Sequence, residues 1–373
     1  MSFSVEVVDN VAELEQYADA WDALAERSSQ KRVMLSHAWV VSYFEYCLKP
    51  GESFRCFLAF DNSELVGVLP LLVIPYSVLG IKRPKLRPPS INIMHAGVGF
   101  CLEPTREIEL IDAIFKAVWR EFPDRFFLRL KGILPDSSLL KLLKKGIKGN
   151  TCFIEDDKPD SCVNTTGDFN SYEKTLGKNY RRKLLRAQRK LNKLPDVTIE
   201  IITAADVVDE GMIEDELMRF IELEAAGWKG RAAGIAIKLS PSLVAFHKSL
   251  VRRLARRGWI EWHWLKSGDE PLAGLYMLKI GDCQMAYKIA YNSKHCKCSP
   301  GNLLLFNALK RAFNLNEVSE INYISYFEWF RRWRVEEKQY CQAVIFPNQP
   351  ITLIRGYIPK VVRKLTPEIP KIG

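Results

Sequence analysis

The sequence predicts a mixed α/β fold in which one arrangement of helices and strands occurs twice. The segments ELVGVLPLL (64–72) and PLAGLYMLK (271–279) each form the second arm of a predicted hairpin after a polar turn. Helices with apolar residues at intervals of three and four precede both hairpins. The local similarity is weak, but the same order of elements around it favours two copies of one unit. A chain of 373 residues is long enough to bury two cores.

Apolar periodicity and turn residues predict the individual elements in chain order. In the first half we expect helices at 14–24 and 37–48, strands at 54–60 and 65–74, a long Pro/Gly-rich loop at 75–99, a helix at 108–122 and a strand at 126–130. In the second half we expect helices at 206–226 and 241–257, strands at 260–266, 272–280 and 285–291, and a helix beginning near Asn302. The chain then divides into a first unit (1–160), a second unit (161–350) and a basic tail (351–373).

The amino-acid composition predicts the cellular compartment of the protein. No apolar run approaches the ~20 residues that a membrane span requires, and the N-terminus lacks a signal-peptide pattern. Nine cysteines without a regular frame predict reduced thiols, so we expect a cytoplasmic location. His295, Cys296 and Cys298 cluster, but no fourth ligand lies at zinc-finger spacing, and we predict no metal site.

The net charge of +10 predicts an anionic partner, and much of it is concentrated between the two halves. Residues 178–193 hold eight basic residues and no acidic residue. Their apolar positions repeat at intervals of three and four, which predicts an amphipathic helix with a basic outer face. A solvated surface and a contact with an anion are both consistent with this pattern. Its arginines Arg181 and Arg182 are candidate ligand contacts.

A short Ser-Pro-Gly turn between a predicted strand and a predicted helix is a candidate phosphate site. Ser299 suits the helix cap, Pro300 suits the first helical position, and Gly301 permits close approach to the backbone. The first N–H groups of a helix have no intrahelical acceptor, so Asn302 and Leu303 complete a possible anion site. An ordinary capped helix without a ligand has the same pattern.

Several segments together resemble the GNAT-type acyl-CoA N-acyltransferases of the CelD (cellulose biosynthesis) group, distant relatives of the FemAB/FemX aminoacyltransferases. The segments are WDALAERS (21–28), LVGVLPLL (65–72), NYRRKLLRAQRKL (179–191), GWKGR (227–231), LAGLYML (272–278) and YNSKHCKCSPGNLLL (291–305). The resemblance implies two tandem GNAT-like units packed together. It also implies that the turn at 299–303 in the second unit binds the pyrophosphate of the coenzyme.

The implied reaction moves an acyl group from acetyl-CoA or another acyl-CoA to an amine of a small metabolite or sugar nucleotide. The resemblance places this chemistry in exopolysaccharide or cell-envelope biosynthesis. Two alternatives remain open. One is a FemX-like transfer of an aminoacyl group from tRNA, which the basic helix suits. The other is a degenerate GNAT-like module that binds a partner without catalysis.

Departures from the family pattern occur after the main helix. Asn322 stands where the group usually has an acid, and Tyr326 stands where it has glycine. We predict that Tyr323 is the acid that protonates the leaving thiolate, with Tyr287 and Asn322 beside it.

The acceptor is expected to bind in a cleft between the two units, and Glu222 and Glu224 are candidate bases. Trp228, Tyr287 and a strand over 323–326 are predicted to form its walls. The predicted substrate contacts are Trp228, Lys229, Arg181, Arg182, Tyr326 and Arg331.

Overall fold

The computed structural model describes residues 3–78, 80–91, 99–206, 209–231, 234–315 and 317–348. Its strands are β1 Ser4–Val8, β2 Ser53–Asp61, β3 Glu64–Val78, β4 Ile81–Arg87, β5 Cys101–Leu102, β6 Phe127–Ile133, β7 Asn150–Asn164, β8 Val197–Thr203, β9 Ile260–Ser267, β10 Glu270–Ile280, β11 Cys283–Tyr291, β12 Glu320–Asn322 and β13 Glu336–Pro347. The predicted tail at 351–373 lies outside the described residues.

The helices flank one sheet. They are α1 Val11–Leu14, α2 Ala18–Arg27, α3 His37–Tyr46, α4 Glu107–Glu121, α5 Ser138–Lys145, α6 Phe169–Thr175, α7 Lys178–Leu191, α8 Glu210–Ala226, α9 Trp228–Arg231, α10 Pro241–Ala255 and α11 Pro300–Asn314. Short 3₁₀ helices include Val33–Leu35, Ser293–Cys298 and Glu328–Trp333. Among the described residues, none of these helices has the length and apolar character needed to span a bilayer.

The strands of the described residues form one mixed sheet in the order β1-β2-β3-β4-β6-β13-β7-β12-β11-β10-β9-β8, with β5 paired to β3. Strands β1 to β4 pair antiparallel, and β4 then pairs parallel to β6. The second half repeats this pattern, because β8 to β11 pair antiparallel and β11 pairs parallel to β12. The predicted mixed α/β fold is therefore confirmed.

Two long strands, β7 and β13, connect the halves of the sheet. β13 pairs with β6 on one side and with β7 on the other, and β7 in turn pairs with β12. The C-terminal strand of the second half thus lies between β6 and β7 of the first half. The predicted boundary at 160/161 falls within β7, and the division into two domains remains a prediction.

The sequence predictions were wrong for several strands. The loop predicted over 75–99 contains the end of β3 and the whole of β4, in which Pro75 and Pro84 face each other. Prolines remove ladder hydrogen bonds and therefore suggested a loop. β7 and β13 were not predicted, because the polar segment 155–161 of β7 and the segment 336–339 at the start of β13 lack the usual apolar alternation.

Local signals set the ends of α10 as predicted. The Ser240 hydroxyl accepts a hydrogen bond from the Leu243 N–H at 3.4 Å, and Pro241 occupies the first turn. Gly258 follows the helix with φ +70°, a conformation that glycine adopts without strain. These features direct the chain from α10 into β9.

Two apolar layers cover opposite faces of the second half of the sheet. On one face, α8 and α10 pack against β9 to β11 together with α3 of the first half, where the Trp39 and Phe246 rings lie 5.1 Å apart. On the other face, α7 and α11 pack with the 3₁₀ helix Glu328–Trp333. The first layer therefore joins both halves of the chain.

Candidate active site

Strands β11 and β12 pair over a short distance and then separate. Their parallel pairing joins Cys283–Met285 to Glu320–Asn322, after which β12 ends and β11 continues to Tyr291. The register between β10 and β11 shifts so that Tyr287 has no opposite residue on β10, which is a β-bulge. Beyond Met285, no strand in the described part of the chain pairs with this edge of β11. An extended ligand can pair with such an edge.

The turn predicted to bind phosphate lies at the far end of this open edge. Ser299 is left-handed, with φ 46°, and its side chain makes no cap hydrogen bond, so the predicted capping role is wrong. The Leu303 N–H donates to the Ser299 carbonyl at 3.2 Å, and Pro300 has no N–H. The N–H groups of Gly301 and Asn302 have no acceptor among the described residues. Two backbone donors therefore remain at the positive end of α11.

Gly301 has a packing role that the sequence did not reveal. A Cβ at this position would lie 3.3 Å from Ile289 Cδ1 and 3.5 Å from Tyr291 Cδ1. The absence of a side chain therefore lets the start of α11 pack closely on β11. A Cβ here would point toward the sheet, and the role of Gly301 in the approach of a ligand remains a prediction.

The basic helix α7 packs beside the turn with its C-terminal end. The Lys190 Nζ lies 3.4 Å from the Lys297 carbonyl oxygen, and both lysines are exposed. Their ammonium groups add positive charge near the N–H groups of α11. Arg182 lies at the other end of α7, about 12 Å along the helix axis at 1.5 Å per residue. Arg181 and Arg182 are therefore not neighbours of the turn.

A buried charge cluster lies against the open edge of β11. The Glu224 carboxylate accepts hydrogen bonds from the Lys229 Nζ at 3.0 Å and the Lys288 Nζ at 3.4 Å. It also accepts the Ile237 N–H at 2.9 Å. Lys229 donates a second hydrogen bond to the Ile289 carbonyl at 3.0 Å. Lys229, one of the predicted substrate contacts, therefore touches the edge of β11, whereas the side chain of Trp228 is outside the described part of the structure.

The cluster sets the protonation of its members. Burial opposes ionisation of Glu224, but the Lys288 and Lys229 ammonium groups and the Ile237 N–H hold the pKa of that carboxyl below its ordinary value. Burial lowers the pKa of Lys288, and the Glu224 carboxylate opposes this shift. Glu222, the other candidate base, is exposed and pairs with Lys238 at 2.6 Å. Glu224 is the carboxylate that the fold brings to the open edge.

Asn322 is the last residue of β12, and both polar atoms of its side chain are hydrogen-bonded. Its Nδ2 donates to Glu320 Oε1 at 3.1 Å and to the Cys162 Sγ at 3.1 Å. Its Oδ1 accepts the Ile324 N–H at 2.6 Å, which supports the left-handed Ile324 (φ 45°). The amide therefore supports the turn that ends β12, and a carboxylate is already present two residues earlier.

Tyr323 lies within this turn, between Asn322 and Ile324, and its ring packs on the α11 face of the sheet. Its side chain is buried against Phe330, with ring centroids 4.4 Å apart, and burial raises its pKa well above the ordinary value. Its hydroxyl has no hydrogen-bond partner among the described residues. The strand predicted over 323–326 is absent there, because β12 ends at Asn322 and Ile324 turns the chain.

Tyr326 and Arg331 lie together near the surface. The Arg331 guanidinium sits 5.8 Å from the Tyr326 ring centroid, and its Nε is 3.8 Å from Glu337 Oε1. Arg331 is exposed and belongs to the 3₁₀ helix Glu328–Trp333. Among the described residues, Tyr326 and Arg331 form no hydrogen bond, ion pair or ring contact with the Lys229 cluster.

Tyr287 occupies the opposite face of the sheet from Tyr323. Its ring packs against Trp39 and Tyr276, with centroid distances of 5.7 Å and 5.0 Å. Its hydroxyl lies 3.5 Å from His247 Nε2, and burial raises its pKa well above the ordinary value. The predicted cleft wall made of Tyr287 and Tyr323 together is therefore wrong, because Tyr287 is buried in the layer of α8 and α10 and Tyr323 in the layer of α7 and α11.

A cavity of about 260 Å³ lies between the two halves, at the point where β11 and β12 diverge. It is lined by Ser29, Gln30, Lys31, Arg32, Leu134, Asp282, Cys283, Met285, Ser319, Glu320, Asn322, Lys338 and Tyr340. The Lys338 Nζ lies 3.3 Å from Glu320 Oε2. Arg32, which is buried, forms an ion pair with Asp160. Sequence reasoning missed this cavity, because its walls come from segments that are distant along the chain.

A second cavity of about 300 Å³ lies between α7, β8 and α11, and Leu303 and Asn307 form part of its lining. All nine cysteines are free thiols. Within the described ranges, no group of three His, Cys, Asp or Glu side chains converges as a metal site. His295 instead lies 3.4 Å from Glu270.

Comparisons with known proteins agree with this architecture. Residues 178–325, which include α7, β11, α11 and β12, match the family model described as Acetyltransferase (GNAT) domain. A search of curated proteins finds no match. The second half of the chain is therefore similar to a GNAT acetyltransferase domain, and the finer CelD-like grouping remains a prediction.

Solved structures share the fold over nearly the whole chain. FemX matches with a TM-score of 0.61 and 12% identity, covering 94% of this chain and 99% of FemX. The C-terminal domain of an Agrobacterium fabrum protein described as a lysylphosphatidylglycerol synthetase matches with a TM-score of 0.55 and 12% identity. The match covers 90% of this chain and 92% of that domain. A conserved protein of unknown function from Bacteroides thetaiotaomicron matches with a TM-score of 0.53 and 12% identity, covering 92% and 100%. At these identities the matches establish the fold.

Proposed function

We propose that the protein transfers an acyl group from an acyl-CoA to an amine. The observation that carries this proposal is the separation of β11 and β12 at Met285 and Asn322, with α11 beginning beyond the end of the open strand. The match of residues 178–325 to an acetyltransferase domain covers these elements. The proposal places the reaction in the second half of the chain and in the cytoplasm, with cell-envelope or polysaccharide assembly as the pathway implied by the family resemblance.

The coenzyme would bind along the open edge of β11. Its pyrophosphate would accept hydrogen bonds from the Gly301 and Asn302 N–H groups, with Lys297 and Lys190 nearby. Its amide-containing arm would pair with the β11 backbone beyond Met285. The thioester would then reach the point where the two strands diverge. Acetyl-CoA is the simplest donor, and the acyl length is open.

The acceptor would enter from the cavity between the halves. This cavity touches Met285 and Asn322, the last paired residues before the strands separate. Its volume of about 260 Å³ suits a small amine or the amine-bearing end of a sugar nucleotide. Lys31, Lys338, Asp282 and Glu320 give it charges of both signs, which suits a polar acceptor. Donor and acceptor would thus meet from opposite sides of the sheet.

The chemistry then requires little from the protein beyond positioning. The neutral amine nitrogen attacks the thioester carbonyl carbon, a C–N bond forms, and the C–S bond breaks as the tetrahedral intermediate collapses. The ammonium proton leaves to solvent, the thiolate receives a proton from the Tyr323 hydroxyl, and the resulting phenolate regains a proton from solvent, which restores the enzyme. Burial keeps this hydroxyl protonated at neutral pH, and it has no other partner among the described residues. Glu224 would position Lys229 and Lys288 along the β11 edge.

A second candidate is the transfer of an aminoacyl group from tRNA. The exposed basic residues of α7 favour it, because a nucleic-acid donor needs an extended positive surface. A binding module without catalytic activity is the third candidate. A thermal-shift screen with acetyl-CoA, longer acyl-CoAs and aminoacyl-tRNA separates them. Stabilisation by an acyl-CoA supports our proposal, stabilisation by tRNA alone supports the second candidate, and no stabilisation by either supports the third.

A further inference from the structure

We propose that the outer face of α7 docks on an anionic lipid bilayer surface. This inference is independent of the proposed acyl transfer. It rests on a row of basic residues without acidic partners, on an exposed leucine within that row, and on exposed aromatic residues at the start of the neighbouring 3₁₀ helix. The partner is the negatively charged headgroup layer of a membrane, and α7 would lie parallel to it.

The row lies on the side of α7 opposite to its packed face. Leu184, Ala187 and Leu191 are buried against α11 and its surroundings. Lys178, Arg182, Leu185 and Arg189 are spaced by four, three and four residues, so they lie on one face, and all are exposed. The Leu185 side chain is 59% exposed in the middle of this row. An exposed leucine between basic residues is the pattern of a helix that lies at a membrane interface.

The charges on this face are not neutralised within the described protein. Elsewhere, exposed basic residues pair with carboxylates, as Arg252 does with Glu214 and Lys238 with Glu222. In the described ranges, none of Lys178, Arg182, Arg186 and Arg189 forms an ion pair, and α7 contains no acidic residue. Like charges at these spacings repel one another, so an external anionic surface would stabilise the helix.

The neighbouring 3₁₀ helix extends the surface. Arg332 lies 5.7 Å from the ring centroid of Tyr180 on α7, and Arg334 donates to the Thr175 carbonyl at 2.9 Å. This segment therefore packs at the N-terminal end of α7. Phe327 and Trp329 are 42% and 36% exposed. Aromatic side chains are favoured at the headgroup level of membranes, where one part of the ring is apolar and the other is hydrated.

The arrangement of these residues favours a bilayer over RNA. Leucine and no aromatic side chain lies among the basic residues of the α7 row, and Phe327 and Trp329 lie outside α7, so bases would find no stacking platform between the basic residues. A straight helix face with one central apolar residue fits a flat, fluid headgroup layer. RNA binding is therefore the alternative that the experiment must separate.

Co-sedimentation with lipid vesicles tests the proposal. The full-length protein is mixed with vesicles of phosphatidylcholine alone, or with about one-third phosphatidylglycerol, at low and high salt. We expect binding to the anionic vesicles that weakens with salt, and no binding to the neutral ones. The Arg182→Glu/Arg189→Glu variant should bind anionic vesicles at least about tenfold more weakly. Leu185→Gln should weaken binding at high salt, where apolar insertion contributes more.

A matched control has the same change in net charge. Lys141→Glu/Lys145→Glu reverses two exposed lysines on α5, another basic helix, and should bind as the unmodified protein does. Far-UV circular dichroism checks the fold of each variant, and Arg182→Gln/Arg189→Gln replaces the double reversal if the latter unfolds. If the double variants on α7 and on α5 weaken vesicle binding equally, the binding does not depend on the face of α7, and the proposal is contradicted. Binding to bulk tRNA in a gel-shift assay, without sedimentation on anionic vesicles, would also overturn the proposal.

Discussion

Asn322 donates from its Nδ2 to Glu320 Oε1 at 3.1 Å, at the position where strands β11 and β12 separate. This contact gives the amide a structural role at a position where the family resemblance predicts an acid. A carboxylate there would face Glu320 across the same distance, whereas the amide bridges Glu320 and Cys162. Glu320 supplies a carboxylate two residues before Asn322 on the same strand.

We therefore predict that Asn322→Asp destabilises the protein by about 2 kcal/mol at neutral pH, because it replaces a hydrogen bond with a buried repulsion. Burial and Glu320 should raise the pKa of the new carboxyl above that of unfolded aspartate. The loss in free energy of unfolding is then complete at neutral pH, and it shrinks as the pH falls toward 4, roughly the unfolded aspartate pKa. Urea denaturation at several pH values measures this. A variant as stable as the parent at pH 7 would contradict our account of Asn322.

Glu224 should stabilise the fold in a pH-dependent way. Burial opposes its ionisation, but Lys288, Lys229 and the Ile237 N–H hold its folded pKa below the ordinary value. A depressed carboxyl pKa gives stability that is present above the unfolded pKa and is lost as the pH falls through the folded pKa. Glu224→Gln should therefore cost about 3 kcal/mol at pH 7, and the difference should shrink below about pH 4.

The matched control for this prediction is Glu222→Gln, two residues earlier on the same helix. Glu222 is exposed and forms a surface pair with Lys238, so its replacement should cost less than about 1 kcal/mol. Chemical denaturation of both variants between acidic and neutral pH gives the comparison. Equal costs for the two variants would show that the buried cluster does not stabilise the fold.

Tyr323→Phe tests the proposed acid. It removes the hydroxyl and keeps the ring stacked on Phe330, so kcat should fall by about 100-fold while coenzyme affinity is retained. Tyr276→Phe is the control, because its hydroxyl is also buried and without a partner among the described residues, but it faces the opposite layer. Steady-state kinetics with an identified acceptor distinguishes them. Full activity of Tyr323→Phe would rule out the assigned role.

Leu134→Trp tests the acceptor cavity. Leu134 is half-buried and contributes to the cavity wall from the first half of the chain, and a larger side chain would reduce its volume. We expect KM for the acceptor to rise by about tenfold or more, with unchanged coenzyme affinity, because the coenzyme would approach from the other side of the sheet. An unchanged acceptor KM would place the acceptor elsewhere.

The sequence predicted the repeated helices and hairpins because their apolar spacing and turn residues are local signals. The capped start of α10 and the turn at 61–64 before β3 are examples. It did not predict β7 and β13, because their polar segments at 155–161 and 336–339 lack apolar alternation and their partner strands cannot be inferred from local sequence. β7 pairs with β13 over residues that are far apart in sequence, such as Asn150 and Pro347.

The candidate site was only partly predictable for the same reason. The turn before α11 and the Lys229 position lie within short motifs, so the sequence alone could propose them, and their roles remain predictions. The cavity combines Arg32, Met285 and Tyr340, which no local pattern connects. The placement of Tyr287 was wrong because both faces of β11 are buried, so alternation gave no indication of which layer it joins. The packing role of Gly301 depends on contacts with β11 that the sequence does not specify.

Calorimetric titration of acetyl-CoA into the protein and into Asn302→Glu tests the central claim most directly. A glutamate in the first turn of α11 favours the helix but repels an anion at the Gly301 and Asn302 N–H groups. We predict that the unmodified protein binds acetyl-CoA and that Asn302→Glu binds at least about tenfold more weakly at unchanged stability. Lys310→Glu, an exposed reversal farther along α11, should bind normally. Equal affinity of Asn302→Glu and the unmodified protein, or no binding by the latter, would contradict the account.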